Sequence, residues 1–241
     1  MRTPNDEIRL PLMVIYGSES SLIRPLIQKR DHPFIRIYGK TVPESDAKCI
    51  DIPDVSDLED AIKKIKTKIG NDTQNPLLDI VFLGAAFKTQ TSLFLGTKPE
   101  EIDEAIHVNI TNYTKIVYTL LPHMMRSRWG RLIYLSSFRS QVTGKGTSIY
   151  SASKAFGEKF FEVVGKEFGR LGITSTSIRM GYFDGRMTDI FNEKEKTDIT
   201  QNIACRRFGD SNDLLNAIQF CIDNPFVNSG VVDLNGGLIF N

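Results

Sequence analysis

Tyr150 and Lys154 lie four residues apart in the run Tyr-Ser-Ala-Ser-Lys, inside a segment whose apolar residues recur at helical spacing. That spacing places both side chains on one face of a helix. A phenol has a pKa of about 10 and is a poor acid or base at neutral pH, but a nearby ammonium ion favours the phenolate and lowers that pKa. The pair could then exchange a proton with a substrate oxygen.

Ser137 adds a hydroxyl group to this pair. It follows a short apolar run, residues 132–135, that is typical of a buried strand, and it precedes Tyr150 by thirteen residues. A hydroxyl at the carboxyl end of a strand can hydrogen-bond a substrate oxygen on which negative charge develops. A tyrosine and a lysine at this spacing also occur on ordinary solvated helix faces, so it is the serine that favours a chemical role.

A parallel sheet would position these groups. Residues 10–16 form an apolar run that ends at Gly17, as in a strand buried on both faces. Further candidate strands alternate with helical patterns, which indicates right-handed βαβ crossovers. We therefore predict a single α/β domain over residues 1–241. Its Rossmann-type doubly wound parallel sheet, in a three-layer α/β/α arrangement, should bind ligands beyond the carboxyl ends of the strands.

The chain divides into the following predicted elements. The strands are residues 10–16, 34–38, 48–52, 78–83, 131–135, 173–178 and 231–234. The helices are residues 57–69, 99–127, 149–170 and 212–222. The polar and charged segment 184–207 resembles an insertion, and we expect it to cover the substrate.

Composition narrows the function classes. The chain has 30 Lys and Arg residues against 29 Asp and Glu, so it has no overall attraction to nucleic acid or to an anionic membrane. The apolar run at residues 10–16 is too short to span a bilayer. Cys49, Cys205 and Cys221 lack the spacing of a metal site or a disulfide framework. We expect a cytoplasmic protein that binds no nucleic acid, membrane or metal ion.

The run from Gly130 to Ser137, followed by Tyr-Ser-Ala-Ser-Lys, resembles the short-chain dehydrogenase/reductase family. The resemblance extends over nearly the whole chain and implies a nicotinamide cofactor and a carbonyl or alcohol substrate. It implies that Ser137, Tyr150 and Lys154 are catalytic. It also implies that Asn109 is a fourth catalytic residue, whose backbone helps to hold a water molecule linked to the lysine.

The same resemblance implies a cofactor site along the carboxyl edge of the sheet. Asp51 matches the family's adenine-contacting aspartate, although it could equally cap a loop. The serines after the first strand could bind phosphate or cap a helix. The candidate cofactor-binding residues are Gly17, Ser18, Ser20, Ser21, Leu22, Lys40, Asp51, Ile52, Gly84, Ala85, Tyr150, Lys154 and Gly181.

The cofactor site departs from the family's pattern in three places. Of the three glycines in the phosphate loop only Gly17 remains, and Ile23 would crowd the junction of strand and helix. After the fourth strand, Leu-Gly-Ala-Ala replaces the family's Asn-Asn-Ala-Gly. After the sixth strand, Met-Gly-Tyr replaces the family's Pro-Gly, and the threonine that contacts the nicotinamide amide is missing.

The choice of nicotinamide cofactor depends on the end of the second strand. An acidic residue there would accept hydrogen bonds from the ribose of NAD(H), whereas this strand ends in Ile-Tyr-Gly-Lys. NADP(H) is therefore favoured over NAD(H). Lys40, or less readily Arg36 within the strand, could meet the 2′-phosphate, and either could also be a solvated charge.

The primary functional hypothesis is an NADPH-dependent ketoreductase that reduces a carbonyl to a secondary alcohol. Among members of the family the chain resembles the 3-oxoacyl-carrier-protein reductases, and a free metabolite is an equally open substrate. An acidic carrier could be steered by four basic residues, which could also be ordinary solvated charges: Arg126, Arg128, Arg131 and Arg170. The alternative is a catalytically weak or silent member that serves as a binding or scaffolding subunit, because the glycine loop is eroded.

Assembly is also implied by the resemblance. The family commonly forms dimers or tetramers through two long helices, here residues 99–127 and 149–170, and through the C-terminal segment. The apolar end Leu238-Ile239-Phe240 would be costly to leave in water. We therefore expect a homodimer or homotetramer.

Overall fold

The computed structural model describes residues 11–17, 22–25, 34–37, 49–52, 54–69, 78–89, 92–185 and 188–239. The strands in these ranges are β1 (Leu12–Tyr16), β2 (Phe34–Ile37), β3 (Cys49–Ile52), β4 (Ile80–Gly84), β5 (Gly130–Ser137), β6 (Ile173–Met180) and β7 (Gly230–Leu234). They pair in parallel as one sheet in the order β3-β2-β1-β4-β5-β6-β7. The chain changes direction across the sheet between β1 and β4, where doubly wound sheets bind ligands. The predicted Rossmann-type sheet is confirmed.

The helices with at least eight described residues are α1 (Leu58–Ile69), α2 (Pro99–Ile106), α3 (Asn112–Ser127), α4 (Ser148–Phe168), α5 (Glu193–Gln201) and α6 (Ser211–Asp223). The predicted helix at residues 99–127 is interrupted, because a π-helical turn, His107–Thr111, joins α2 to α3. The helix α5 was not predicted, although Asn192 and Glu195 form a capping box at its start. Within the described residues, no helix is long and apolar enough to cross a bilayer.

The sheet separates two hydrophobic clusters. Val14 of β1 belongs to the cluster that packs against α1, α3 and α4, whereas its neighbour Ile15 belongs to the cluster on the α6 side. Both side chains are fully buried. The strand is therefore covered on both faces, as its continuous apolar run predicts.

Aromatic rings fill the cluster between β5 and α4. Tyr134 of β5 stacks on Phe161 of α4 with ring centroids 5.0 Å apart, and it meets the edge of the Tyr113 ring at 5.1 Å. Gly157 of α4 faces the Tyr134 ring, and a Cβ atom at this position would lie 2.3 Å from Cζ of the tyrosine. The helix α4 can approach β5 this closely because residue 157 has no side chain.

The substitution Gly157→Ala should destabilise the protein, although alanine is the better helix former by about 1 kcal/mol. The added methyl group would overlap a ring that Phe161 and Tyr113 hold in place, and overpacking of this kind typically costs about 1–3 kcal/mol. We expect the free energy of unfolding in urea to fall by roughly 1–2 kcal/mol. Ala155 on the same helix is exposed, so alanine should be more stabilising than glycine there. The control substitution Ala155→Gly should therefore also destabilise the protein. A Gly157→Ala protein as stable as the parent would show that ring and helix can separate without cost.

Candidate active site

The fold brings together the three residues whose spacing suggested proton transfer. Ser137 is the last residue of β5, and α4 carries Tyr150 and Lys154 on the face that packs against this strand. All three side chains are buried. The hydroxyl of Ser137 lies close enough to the phenol of Tyr150 to act on its pKa, in the lowering direction. The Oγ of Ser137 also accepts the backbone N–H of Arg139 at 3.2 Å, which leaves the serine proton available for the tyrosine or for a substrate oxygen.

Lys154 carries its ammonium group into an enclosed, largely aromatic space. The Nζ donates a hydrogen bond to the carbonyl of Leu135 at 2.7 Å. It lies 4.9 Å from the ring centre of Tyr134, 5.3 Å from that of Phe87 and 5.8 Å from that of Tyr150. Burial lowers the pKa of Lys154 from 10.5 to about 7, against the opposing attraction of Glu158.

The pKa of Tyr150 is raised, whereas the sequence predicts that it is lowered. Burial raises its pKa above the ordinary value, although the hydrogen bond from Ser137 and the charge of Arg139 act in the opposite direction. The expectation that Lys154 lowers the pKa of Tyr150 is therefore wrong for this structure, because desolvation of the phenol outweighs the attraction of nearby charges. The phenol holds its proton at neutral pH, as a proton donor must.

Asn109 lies in the π-helical turn between α2 and α3, a type of distortion that is frequent at functional sites. Its Oδ1 accepts the backbone N–H of Lys88 at 2.7 Å, and its Nδ2 donates to the Lys88 carbonyl and to Oγ of Ser153, each at 3.0 Å. The side chain therefore ties the loop after β4 to α4, one residue before Lys154. The role of its backbone toward a water molecule stays a prediction.

The loops after β1 and β4 lie against each other at the crevice. Gly17 has a φ of 88°, and a Cβ atom there would lie 2.4 Å from the backbone nitrogen of Ala86. The N–H groups of Ala85 and Ala86 both donate to the Tyr16 carbonyl at 2.8 Å. Gly84 packs under the ring of Tyr113, where a Cβ atom would lie 2.4 Å from Cε1. Glycine at both positions is thus required by the packing of the protein itself.

The tyrosine at the end of β1 was not among the predicted site residues. Its hydroxyl donates to the Val108 carbonyl at 3.2 Å and accepts from Nδ2 of Asn112 at 2.9 Å. Tyr16 therefore joins β1 to the π-helical turn that contains Asn109. Its position directly before Gly17 was the available sequence signal.

Asp51 and Arg36 form a pair across β2 and β3. The strand register places them side by side, and the guanidinium donates to both carboxylate oxygens at 2.6 and 2.8 Å. Arg36 is buried, so the idea that it meets a 2′-phosphate is wrong: its charge is already neutralised inside the sheet. Asp51 remains a candidate adenine contact with its carboxylate held by this arginine.

The remaining cofactor candidates fall into two groups. Ser18, Ser20, Ser21 and Lys40 lie outside the described residues. Among the described ones, Ile52 is buried in one core cluster and Leu22 packs against the other.

Gly181 follows β6 and donates its N–H to the Leu234 carbonyl at 2.9 Å. Ile23 is fully buried in the cluster that contains Leu83, so its side chain packs into the core.

Aromatic side chains line the region beyond Ser137. Phe138 follows the serine directly, and its ring centre lies 5.1 Å from that of Tyr182 in the loop after β6. Tyr182 in turn contacts Phe191 at 6.3 Å and Phe208 at 6.2 Å. Phe191 belongs to the segment 184–207, so this segment reaches the rings next to Ser137.

The four arginines proposed to steer a carrier protein lie elsewhere. Arg126 and Arg128 precede β5 and Arg170 precedes β6, at the amino edge of the sheet, whereas Ser137 ends β5 at the opposite edge. Arg131 is buried, and its guanidinium donates to the carbonyls of Ile222 and Gly130 at 2.9 and 2.8 Å. The steering argument is therefore wrong, because the length of β5 separates Arg126, Arg128 and Arg170 from the site and Arg131 is buried within that strand.

Sequence reasoning also missed a buried charge cluster beside the site. Glu158 lies four residues after Lys154 on α4, and Arg179 lies on β6 next to the end of β5. Their side chains form an ion pair with an N–O distance of 2.8 Å. The available signal was the arginine itself, since a charge in a strand buried on both faces needs a partner.

Comparisons with known proteins agree with this geometry. A family model described as short chain dehydrogenase matches residues 38–196. A relative by sequence, the 3-oxoacyl-[acyl-carrier-protein] reductase FabG of Haemophilus influenzae, is 26% identical over 242 residues, which cover 94% of this chain and 97% of that protein.

Two solved structures share the fold at 18% sequence identity. ElxO with NADP bound has a TM-score of 0.78 and is matched over 95% of this chain and 98% of its own. A 3-oxoacyl-[acyl-carrier protein] reductase from Brucella melitensis also has a TM-score of 0.78, with 96% of this chain and 92% of its own matched. Because the family model covers most of the chain, including Ser137, Tyr150 and Lys154, this protein belongs to the short chain dehydrogenase family of oxidoreductases.

Proposed function

We propose that this protein is an NADP(H)-dependent reductase that converts a carbonyl group to a secondary alcohol. One observation carries the proposal: Ser137, Tyr150 and Lys154 are buried together, with Nζ of Lys154 5.8 Å from the centre of the Tyr150 ring and the Ser137 hydroxyl acting on the same phenol. When bound, the reduced nicotinamide supplies a hydride to the carbonyl carbon. Tyr150 donates its proton to the carbonyl oxygen, and Ser137 hydrogen-bonds that oxygen as negative charge develops on it.

Lys154 supports the presence of a cofactor on chemical grounds. An ammonium group has three N–H donors, and within the described residues Nζ makes one hydrogen bond, to Leu135. Buried polar groups normally have their hydrogen bonds satisfied, so the remaining donors fit the ribose hydroxyls of a nicotinamide nucleotide. Gly17, Asp51 and Gly181 would complete the site along the carboxyl edge, together with the serines that follow Gly17.

Two arguments favour NADP(H) over NAD(H). No acidic residue stands at the end of the second strand, where the sequence is Ile-Tyr-Gly-Lys, so nothing there repels a 2′-phosphate. The structurally similar ElxO holds NADP. Since Arg36 is paired with Asp51, Lys40 is the residue that we propose for the phosphate contact.

The substrate site that we propose is apolar. Phe138, Tyr182, Phe191 and Phe208 form a wall beside Ser137, and the segment 184–207 would close over the substrate through Phe191. This favours a carbonyl compound with an apolar or aromatic substituent. The name of the FabG relative specifies a carrier-bound acyl substrate, so 3-oxoacyl thioesters belong in the same substrate screen.

We also propose that the protein works as a homodimer or homotetramer in the cytoplasm. The two long helices expose apolar side chains, including Tyr118 and Met125 on α3 and Phe156 and Val163 on α4. Contact between copies through these helices would remove that surface from water.

Calorimetric titration tests the cofactor without a known substrate. NADPH should bind with a micromolar Kd, and NADH should bind at least about tenfold more weakly because it lacks the phosphate. Absence of binding by both nucleotides would mean that the eroded glycine loop has closed the site. That result would favour a binding or scaffolding subunit over a reductase.

The substitution Tyr150→Phe should lower turnover by at least about 100-fold, because the proton donor is removed while the ring is kept. Binding of NADPH and the melting temperature should remain close to those of the parent. Tyr118→Phe, on the exposed face of α3, is the matched control and should leave turnover unchanged. Undiminished reduction by the Tyr150→Phe protein would overturn the assignment of the proton donor.

Lys154 should also make stability depend on pH. Its folded-state pKa of about 7 lies below the ordinary value of 10.5. Between these pH values the unfolded chain holds a proton that the folded protein has released, so folding becomes more favourable as the pH rises. The melting temperature of the parent, relative to Lys154→Met, should therefore rise from pH 7 towards 10.5. A constant difference across this range would contradict a buried, easily deprotonated lysine.

A further inference from the structure

Glu158 is held by four hydrogen bonds at the side of the site that faces the protein interior. Its Oε1 accepts from the hydroxyls of Ser136 and Ser140, each at 2.6 Å, and from Nε of Arg179 at 3.0 Å. Its Oε2 accepts from Nη2 of Arg179 at 2.8 Å. The glutamate side chain is 12% exposed and that of the arginine 8%. These bonds fix the carboxylate in one position in the fold.

The two serines stand on either side of the catalytic one. Ser136 directly precedes Ser137 in β5, and Ser140 ends the 3-10 turn Phe138–Ser140, in which the N–H of Arg139 donates to the Oγ of Ser137. A single carboxylate on α4 therefore anchors the chain both before and after Ser137. A shift of Glu158 would move the hydroxyl of Ser137 relative to Tyr150.

Arg179 anchors the glutamate to the sheet. The strand register places it beside Ser136, and it also donates to both oxygens of Asp233 on β7, at 3.0 and 3.3 Å. Burial alone would raise the pKa of Glu158, but the hydrogen bonds from Arg179, Ser136 and Ser140 hold it below the ordinary value. The glutamate is therefore negatively charged at neutral pH.

The charged and titratable groups around Lys154 come from each packed element. Tyr150 and Glu158 share its helix, Tyr134 faces it from β5, and Arg139 lies in the turn after β5. Among the described residues, Glu158 is the carboxylate whose charge acts on Lys154 against the effect of burial. The same side chain thus influences both the serine and the lysine.

We propose that Glu158, anchored by Arg179, is a positioning residue that fixes Ser137 from both sides and stabilises the positive charge of Lys154. The inference rests on the proposed reductase function, because it assigns a role in that reaction. Glu158 touches neither substrate nor cofactor in this scheme and acts through its two neighbours.

The substitution Glu158→Gln separates charge from shape, because glutamine keeps the size of the side chain and one acceptor oxygen. With the carboxylate gone, Lys154 should lose its proton at lower pH. The basic limb of the kcat/KM profile should then shift downwards by about one pH unit. Turnover at neutral pH should fall about tenfold or more, since Ser137 is less well placed, while the KM for NADPH changes less than kcat.

Glu162→Gln is the matched control. Glu162 lies one turn further along α4, and its partners are the surface residues Lys159 and Lys166. This variant should leave both the pH profile and turnover unchanged. If Glu158→Gln lowers only the melting temperature and keeps the pH profile of the parent, Glu158 is merely structural and the proposal is overturned.

A second measurement does not depend on turnover. In protein labelled with ¹³Cε-lysine, NMR titration should place the midpoint of Lys154 lower in Glu158→Gln than in the parent, with the signal assigned by Lys154→Met. If the parent neither binds NADPH nor reduces a carbonyl, the proposed function fails, and a shifted midpoint still supports the charge role of Glu158. An unchanged midpoint overturns it.

Glu158→Gln leaves a buried arginine without its main partner and could therefore fail to fold. The double variant Glu158→Gln/Arg179→Met removes both charges of the pair, which proteins tolerate better than the loss of one. It should still show a downward shift of the Lys154 midpoint, smaller than in Glu158→Gln, because loss of the positive charge of Arg179 partly offsets loss of the carboxylate. A folded double variant with the parental midpoint would refute the proposal.

Discussion

The buried positive charge of Lys154 is the constraint on which the rest of the site depends. An ammonium group withdrawn from water loses hydration worth several kcal/mol, and the surroundings must compensate for it. Here the compensation is partial, since the pKa of Lys154 is lowered to about 7, and it comes from the Leu135 carbonyl on β5, from aromatic faces such as that of Tyr134, and from the carboxylate of Glu158 one helical turn away. These partners come from both β5 and α4, so the charge can be kept only if the strand and the helix are fixed relative to each other.

Close contacts at single residues fix α4 relative to β5 and to the loop after β4. Gly157 lets α4 lie directly on the Tyr134 ring, so Lys154 starts its path close to β5. Asn109 binds the loop after β4 to Ser153 of the same helix, and it does so from a π-helical turn that departs from regular helix geometry. The π-helical turn and the glycine therefore both fix the position of α4, one relative to the loop after β4 and the other relative to β5.

Local patterns carried much of the prediction. The seven strands, five of the six helices (α2 and α3 as one) and the grouping of Ser137, Tyr150 and Lys154 follow from apolar runs, from helical spacing and from a resemblance carried by two short motifs. Properties that depend on register or burial could not be read in this way. The pairing of Arg36 with Asp51 requires the alignment of β2 with β3, and the raised pKa of Tyr150 requires knowledge of how deeply its ring is buried. The helix α5 was missed because its sequence is polar on nearly all sides, although its capping box was visible.

Three arginines lie in the described strands. The role of each depends on the groups that its side chain contacts, which the sequence alone does not reveal. Each is buried, and each has a different set of acceptors: Asp51 for Arg36, backbone carbonyls for Arg131, and Glu158 together with Asp233 for Arg179. Arg36 and Arg131 make their contacts at a distance from Ser137, in β2 and at the amino end of β5. The third lies beside the end of β5, and its carboxylate partner belongs to the helix that carries Tyr150 and Lys154. A buried ion pair is a poor source of stability, since its desolvation cost is comparable to its attraction. Its location between the strand of the serine and the helix of the lysine therefore favours a role in orienting these groups over a role in stability alone.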